Sequence, residues 1–360
     1  MAKAAPPDQP VTTLKVQARE VLLPVTVRDK HGALVATMKP SDFTLTEDGR
    51  PQVIKSFTRE SNLPFRLGML VDTSRSVSGA MDNERKAAGK FVDLMLPENP
   101  KEAKAGDQAF LIHFDREVEL LEDFTNSRDK LHHELDEMGP SRSERNNQGP
   151  ETSDNGGYGQ RSGRGGGGTQ LYDAIYLASH DLMASKDGRK ALLVFSDGAD
   201  SGSKETLNDA IDEADRANVS VYTIYFKGEH ENQNSYSPMG GHHGGMGGGG
   251  YPGGGGGYPG GGGGGGGHHG GQPRSEAGVD GKKIMEQIAS RTGGRFFEAK
   301  KKDNLEDIYN QIAEELRGQY LLSYTPDKVD TEGDFHKIVL KANKDDLQVV
   351  TREGYYGAEK

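Results

Sequence analysis

Four apolar runs, at residues 65–71, 108–114, 190–196 and 219–226, constrain this chain more than any other feature. Each has the length and the Val, Ile, Leu and Phe content of a strand covered on both faces. Segments with helical spacing lie between them, at 82–95, 127–138, 170–185 and 204–217. The alternation predicts an α/β fold on a mostly parallel sheet. One junction departs from it. The run at 108–114 turns at Asp115-Arg116 straight into a strand at 117–121, which adds a single antiparallel edge strand. Helix 280–291, strand 295–299 and helix 304–318 complete the unit, the last with Leu305, Ile308, Ile312 and Leu316 on one face.

The flanks carry β patterns only. Residues 1–18 read as a polar, proline-bearing disordered tail. A strand follows at 20–28, where Pro24 predicts a sheet edge. Alternation returns at 42–47, breaks at the hairpin pair Asp48-Gly49 and resumes at 52–58. Past Gly318 it recurs at 319–324, 336–341 and 347–351. A few short strands at either end cannot bury a stable core alone. The two sets are therefore expected to join, 19–60 packing with 319–360, as a small β-sandwich-like domain into which the α/β domain, 61–318, is inserted. Residues 139–168 interrupt that domain with Gly, Ser, Asn and Arg, and residues 228–279 hold 23 glycines in the 32 positions from 240 to 271. Neither has the apolar surface to offset its ordering entropy, and both are expected to be disordered.

Three polar loops carry the chemistry. Asp72-Thr73-Ser74-Arg75-Ser76 follows the first apolar run, at the strand end where open α/β sheets place ligands. One carboxylate and two hydroxyls are hard oxygen donors suited to Mg²⁺ or Mn²⁺. By itself such a pentapeptide more often caps a helix. Thr169 stands between a glycine run and a helical segment, and Asp197 ends the strand at 190–196.

Together and in this order, the three segments resemble the metal-ion-dependent adhesion site of the von Willebrand factor type A domain, over residues 64–316 less the two insertions. The resemblance implies a Rossmann-like sheet and a Mg²⁺ or Mn²⁺ ion. Asp72, Ser74 and Ser76 supply its first loop, Thr169 its second and Asp197 its third. It also implies an open coordination position that a Glu or Asp carboxylate of a partner protein fills. No bond breaks, so the implied function is divalent-metal-dependent protein binding or adhesion, not catalysis. Arg75, with Arg142, Arg145, Arg161 and Arg164 in the adjoining insertion, would add local positive charge. Since Asp72 reads as a loop residue, Asp72→Ala is expected to abolish metal-dependent binding with little loss of fold. The whole layout resembles the acidobacterial type A-related family. It has the block Asp-Phe-x-Leu-x-Glu-Asp-Gly at 42–49 and the block Thr-Arg-x-Gly-Tyr-Tyr at 351–356.

A formal net charge of −11 argues against nucleic acid as partner. With no cysteine there is no disulfide or thiolate metal site. No apolar run reaches the roughly 18–20 residues that span a bilayer. No signal peptide is visible, yet members of the resembled family mostly carry secretion signals, which favours a secreted or periplasmic location. His230 and the pairs at 242–243 and 268–269 read as parts of a solvated tract rather than chelators. His132-His133-Glu134 lacks the second histidine of a zinc-protease helix. Two other functional classes stand beside adhesion. One is an assembly or chaperone-like subunit, in the manner of type A domains that partner ATPases. The other is a Mg²⁺-dependent enzyme, disfavoured because no base or nucleophile pair lies near the metal loops.

Overall fold

A computed structural model of the chain describes residues 20–59, 63–98, 106–139, 168–227, 280–300, 305–327 and 333–357. The tail, residues 140–167 with their four arginines, and residues 228–279 with the histidine pairs lie outside the described residues.

The chain opens with β1 (Val21–Asp29), β2 (Phe43–Glu47), β3 (Arg50–Gln52) and β4 (Ile54–Thr58). Between β2 and β3, Asp48 and Gly49 both have positive φ, 49° and 78°, the backbone that a two-residue hairpin turn requires. The α/β domain begins with β5 (Phe65–Asp72), α1 (Met81–Met95), β6 (Gln108–Phe114), β7 (Val118–Thr125) and α2 (Arg128–Glu137). It continues through α3 (Leu171–Leu177), β8 (Arg189–Ser196), α4 (Leu207–Arg216) and β9 (Val219–Phe226). It ends with α5 (Gly281–Thr292), β10 (Phe296–Ala299) and α6 (Leu305–Gly318). Four strands then return: β11 (Tyr320–Tyr324), β12 (Phe335–Ala342), β13 (Leu347–Val350) and β14 (Gly354–Tyr356).

Six strands form the central sheet in the order β10-β9-β8-β5-β6-β7, parallel throughout except for β7 against β6. The chain builds outward from β5 first on one side and then on the other. The carboxyl end of β5 is thus a topological switch point, where such sheets open a crevice. Alternate residues along each strand enter two cores. Leu67, Met69, Leu193 and Phe195 pack with Phe91, Leu131 and Ile312 of α1, α2 and α6. Leu70, Phe110, Leu192 and Val194 pack with Ile175, Ile211 and Ile288 of α3, α4 and α5.

Two helices differ from expectation. The segment 170–185 is α-helical only to Leu177 and widens to a π turn over Ala178–Met183. α4 starts at Leu207 rather than at 204 because Thr206 and Asp209 cap each other. Asp209 N donates to Thr206 Oγ1 (3.2 Å), and Thr206 N donates to the Asp209 carboxylate (2.9 Å).

The remaining strands form two four-stranded antiparallel sheets, β13-β1-β11-β4 and β14-β12-β2-β3, over a core that includes Leu23, Val25, Leu45, Leu322 and Tyr324. Each sheet draws on both ends of the chain. Contrary to expectation, Pro24 is not on an edge strand, since β1 lies between β11 and β13. The registers show why it is tolerated. Pro24 faces Leu321 of β11, whereas β13 meets β1 only from Thr26 to Asp29. Beside Pro24 stands Thr351, whose hydroxyl donates to Pro24 O (2.8 Å). A residue's N–H and C=O share one side of a strand, so the missing donor faces a side chain and not a backbone carbonyl.

Glu47 accepts the hydroxyls of Tyr324 (2.7 Å) and Tyr355 (3.2 Å), so the blocks at 42–49 and 351–356 meet in one buried cluster. Glu47, Asp48 and His336 bring ligand-type atoms within 4.8 Å of one another. Arg50, 3.9 Å from Glu47 and 3.7 Å from Asp48, already supplies the cluster's positive charge. The β unit is fastened to the α/β domain by charge as well. Arg28 of β1 pairs with buried Glu315 of α6, which also receives Arg295 (3.5 Å) and the hydroxyl of Tyr222 (3.4 Å). Arg352 donates to Asn218 Oδ1 (2.6 Å) and to Leu22 O (3.0 Å).

Glu84 of α1 makes stability depend on pH. It is fully buried, and burial pushes its carboxyl up to about 8, although the Tyr309 hydroxyl donates to it and favours the charged form. In the unfolded chain the ordinary value is 4.5. Between these values the native state holds a proton that the unfolded chain releases. The contribution is whole below 4.5 and is lost as pH rises through about 8, at up to about 1.4 kcal/mol per pH unit. Glu84→Gln should flatten this dependence in denaturant unfolding between pH 5 and 8. Parallel pH profiles for the two proteins would refute it.

Candidate metal centre

Asp72 is the last residue of β5, paired in register with Phe114, and its side chain is 0 % exposed. It is therefore a buried strand-end residue, not the loop residue expected. Its Oδ1 accepts Ser74 N (2.9 Å), which closes a tight turn. Ser74 Oγ and Ser76 Oγ lie 3.1 Å apart at the head of a 3₁₀ turn over Arg75–Ala80 that leads into α1. Ser74 is buried, Ser76 half-buried and Arg75 exposed.

Thr169 is buried ahead of α3. Its backbone is tied to the third loop: Thr169 N donates to Ser201 Oγ (3.3 Å), and Thr169 O accepts Ser201 N (3.1 Å) and Gly202 N (3.2 Å). The next residue, Gln170, donates its N–H to Asp115 O (2.8 Å) in the β6–β7 turn, and that turn also holds Thr73 N on Phe114 O (2.9 Å). The hairpin thus braces the first and second loops together. Asp197 follows β8, is 9 % exposed, and accepts Ala199 N (3.0 Å). Ser196 joins the third loop to the first: its hydroxyl donates to Asp72 Oδ2 (2.7 Å) and accepts Gly198 N (3.0 Å). Gly198 has φ +74°, and a Cβ there would lie 2.2 Å from Gly281 O. The third loop therefore sits directly on the first residue of α5, a contact that only glycine allows.

Asp173 is buried in the first turn of α3. Its carboxylate accepts Lys204 N and Glu205 N (2.9 Å each), fixing the loop ahead of α4. Asp200 likewise accepts Tyr172 N (3.2 Å) and the Ser203 hydroxyl (2.6 Å). Sequence reasoning missed Ser196 and Asp115 as supports of the loops. Ser196 sits beside Asp197, but nothing local indicates that its hydroxyl turns back to Asp72.

The electrostatics are unusual for an interior. Burial, then the charge of nearby Asp197, push the Asp72 carboxyl up to about 7, against donation from Ser74 and Ser196. Among the described residues no basic side chain lies within ion-pair distance of either aspartate. Two like charges at a buried point, ringed by hydroxyls, form a donor set that a hard divalent cation fits. A separate cleft of about 500 Å³ lies at the other end of β8, where Gly188 and Arg189 meet Leu22 and Arg352 of the β unit.

No family model matches the chain, and no curated relative does. Among solved structures, an aerotolerance-related membrane protein from Bacteroides fragilis with multiple mutations to serines is 13% identical, with a TM-score of 0.41, over 70% of this chain and 98% of that one. The vWF domain of the type V pili tip protein Mfa5 from Porphyromonas gingivalis is 13% identical, with a TM-score of 0.42, over 71% and 95%. Proximal thread matrix protein 1 from the mussel byssus, with a zinc-occupied MIDAS motif, is 12% identical, with a TM-score of 0.43, over 71% and 48%. The type A-like architecture of this chain stands on its own strand order and single antiparallel edge.

Proposed function

We propose that this chain is a divalent-metal-dependent protein-binding module. Asp72, Ser74, Ser76, Thr169 and Asp197 would hold a Mg²⁺ or Mn²⁺ ion, and a Glu or Asp of a partner would complete its coordination. The observation that carries this reading is the pair of buried carboxylates, Asp72 and Asp197, at the switch point of the sheet, with no basic partner among the described residues. An ion there would balance the two carboxylates and keep a coordination position open toward solvent, beside exposed Arg75. On the sequence blocks at 42–49 and 351–356, which meet around Glu47, we also propose membership of the acidobacterial type A-related group. Among the described residues no helix is long and apolar enough to cross a membrane.

The test is capture of partners by the immobilised full chain in Mg²⁺ and in chelator. A partner should be retained in Mg²⁺, released by chelator, and lost when its own contacting carboxylate is neutralised. Retention that is equal in both buffers would sink the proposal. Co-purification of an ATPase irrespective of metal would point instead to an assembly role.

A further inference from the structure

Thr73 stands between Asp72 and Ser74, yet its hydroxyl does not join theirs. It lies 3.3 Å from His113 Nδ1 and 3.5 Å from Phe114 O. His113 is 3 % exposed, and its Nε2 lies 2.8 Å from Glu119 Oε2, on the cross-strand neighbour in β7. A carboxylate only accepts, so Nε2 carries a proton, and in that tautomer Nδ1 is the acceptor for the Thr73 hydroxyl. With the backbone bond from Thr73 N to Phe114 O, the residue is held at both its main chain and its side chain.

Building on the metal reading of this loop, we infer that His113 is a positioning residue for the first metal loop. Glu119 fixes its tautomer, and His113 in turn fixes the backbone between Asp72 and Ser74. A threonine hydroxyl left loose in a turn competes for nearby backbone and carboxylate partners. Thr73 is the middle residue of the Asp72–Ser74 turn, one position from both of the groups that close it. Anchored to the imidazole, the hydroxyl leaves Asp72 Oδ1 to Ser74 N and Asp72 Oδ2 to Ser196. Partners that orient metal-binding groups in this way typically contribute about 10–100-fold in metal affinity.

Mn²⁺ binding to the full chain, followed by the paramagnetic resonance of the free ion, tests the inference. His113→Leu should weaken binding by about 10–100-fold. His113→Asn creates the larger packing loss but keeps an acceptor near the position of Nδ1, and should recover most of the affinity. In chelator, hydrogen exchange at the Ser74 amide should quicken in His113→Leu and stay slow in His113→Asn. If His113→Leu matches the wild type in affinity and in Ser74 exchange, the inference is overturned while the metal reading stands. If the wild type itself binds no Mn²⁺, the metal reading falls, and Ser74 exchange in the metal-free protein still decides the role of His113.

Discussion

Asp72→Asn is expected to raise the melting temperature of the metal-free protein at pH 8 by about 5 °C and, in the same variant, to remove stabilisation by Mg²⁺. Both effects have one origin. The Asp72 carboxyl is pushed up from 3.8 to about 7 by burial and by Asp197. Its charged form therefore costs the native state stability. That cost is absent below pH 3.8, grows as pH rises, and is complete above about 7. Asparagine keeps an acceptor for Ser74 N and carries no charge, so the gain should be large at pH 8 and vanish near pH 4. The wild type recovers the lost stability only by binding an ion. At a concentration about 100 times the dissociation constant, the ion should stabilise it by about 2.7 kcal/mol. Thermal melts at the two pH values, with and without Mg²⁺, check this. If the ion stabilises Asp72→Asn as much as the wild type, Asp72 is not a ligand. If the variant melts lower than the wild type at pH 8, the burial of like charges is not the controlling effect.

Glu315→Ala should lose about 3–5 kcal/mol in urea unfolding. Glu315 is 0 % exposed and receives Arg28 from the β unit and Arg295 from within the α/β domain. Deleting the acid leaves cations at a closed joint with no anion to face. Arg28→Met combined with Glu315→Met should cost much less, because a buried ion pair is often matched by apolar groups of similar volume. Equal losses in the single and double variants would show that the joint depends on packing and not on charge balance.

Local chemistry made much of this arrangement legible. The apolar run at 65–71 places Asp72 at a strand end, and the two-residue spacing at Asp115-Arg116 gives the one antiparallel strand. Asp48-Gly49 specifies its own turn because both residues tolerate positive φ. What escaped the sequence depends on distant partners. Pro24 announces an edge strand to any local reading, and only the register of β13 against β1 shows that its missing donor meets Thr351. The burial of Asp72 involves Ser196 on its carboxylate and Phe114 beside it in the sheet, neither of which is near it in the chain. The start of α4 at Leu207 was readable in principle, since Thr206 and Asp209 have capping-box spacing.

The pairing of β1 with β11, Val21 against Tyr324, joins residues about 300 positions apart. During synthesis β1 to β4 leave the ribosome long before β11 to β14 exist. The strands that flank β1 on either side, β11 and β13, are both late arrivals. Through that interval the inner strand of the first sheet has two open edges, and Leu23, Val25 and Val27 have no lid. The inserted α/β domain has all six of its strands before α6 ends, so it can complete itself first. Its folding then brings the two ends of the domain together and shortens the search that closes the β unit. Chains truncated after α6 should carry a finished α/β domain and a set of strands prone to pair with those of a neighbouring chain.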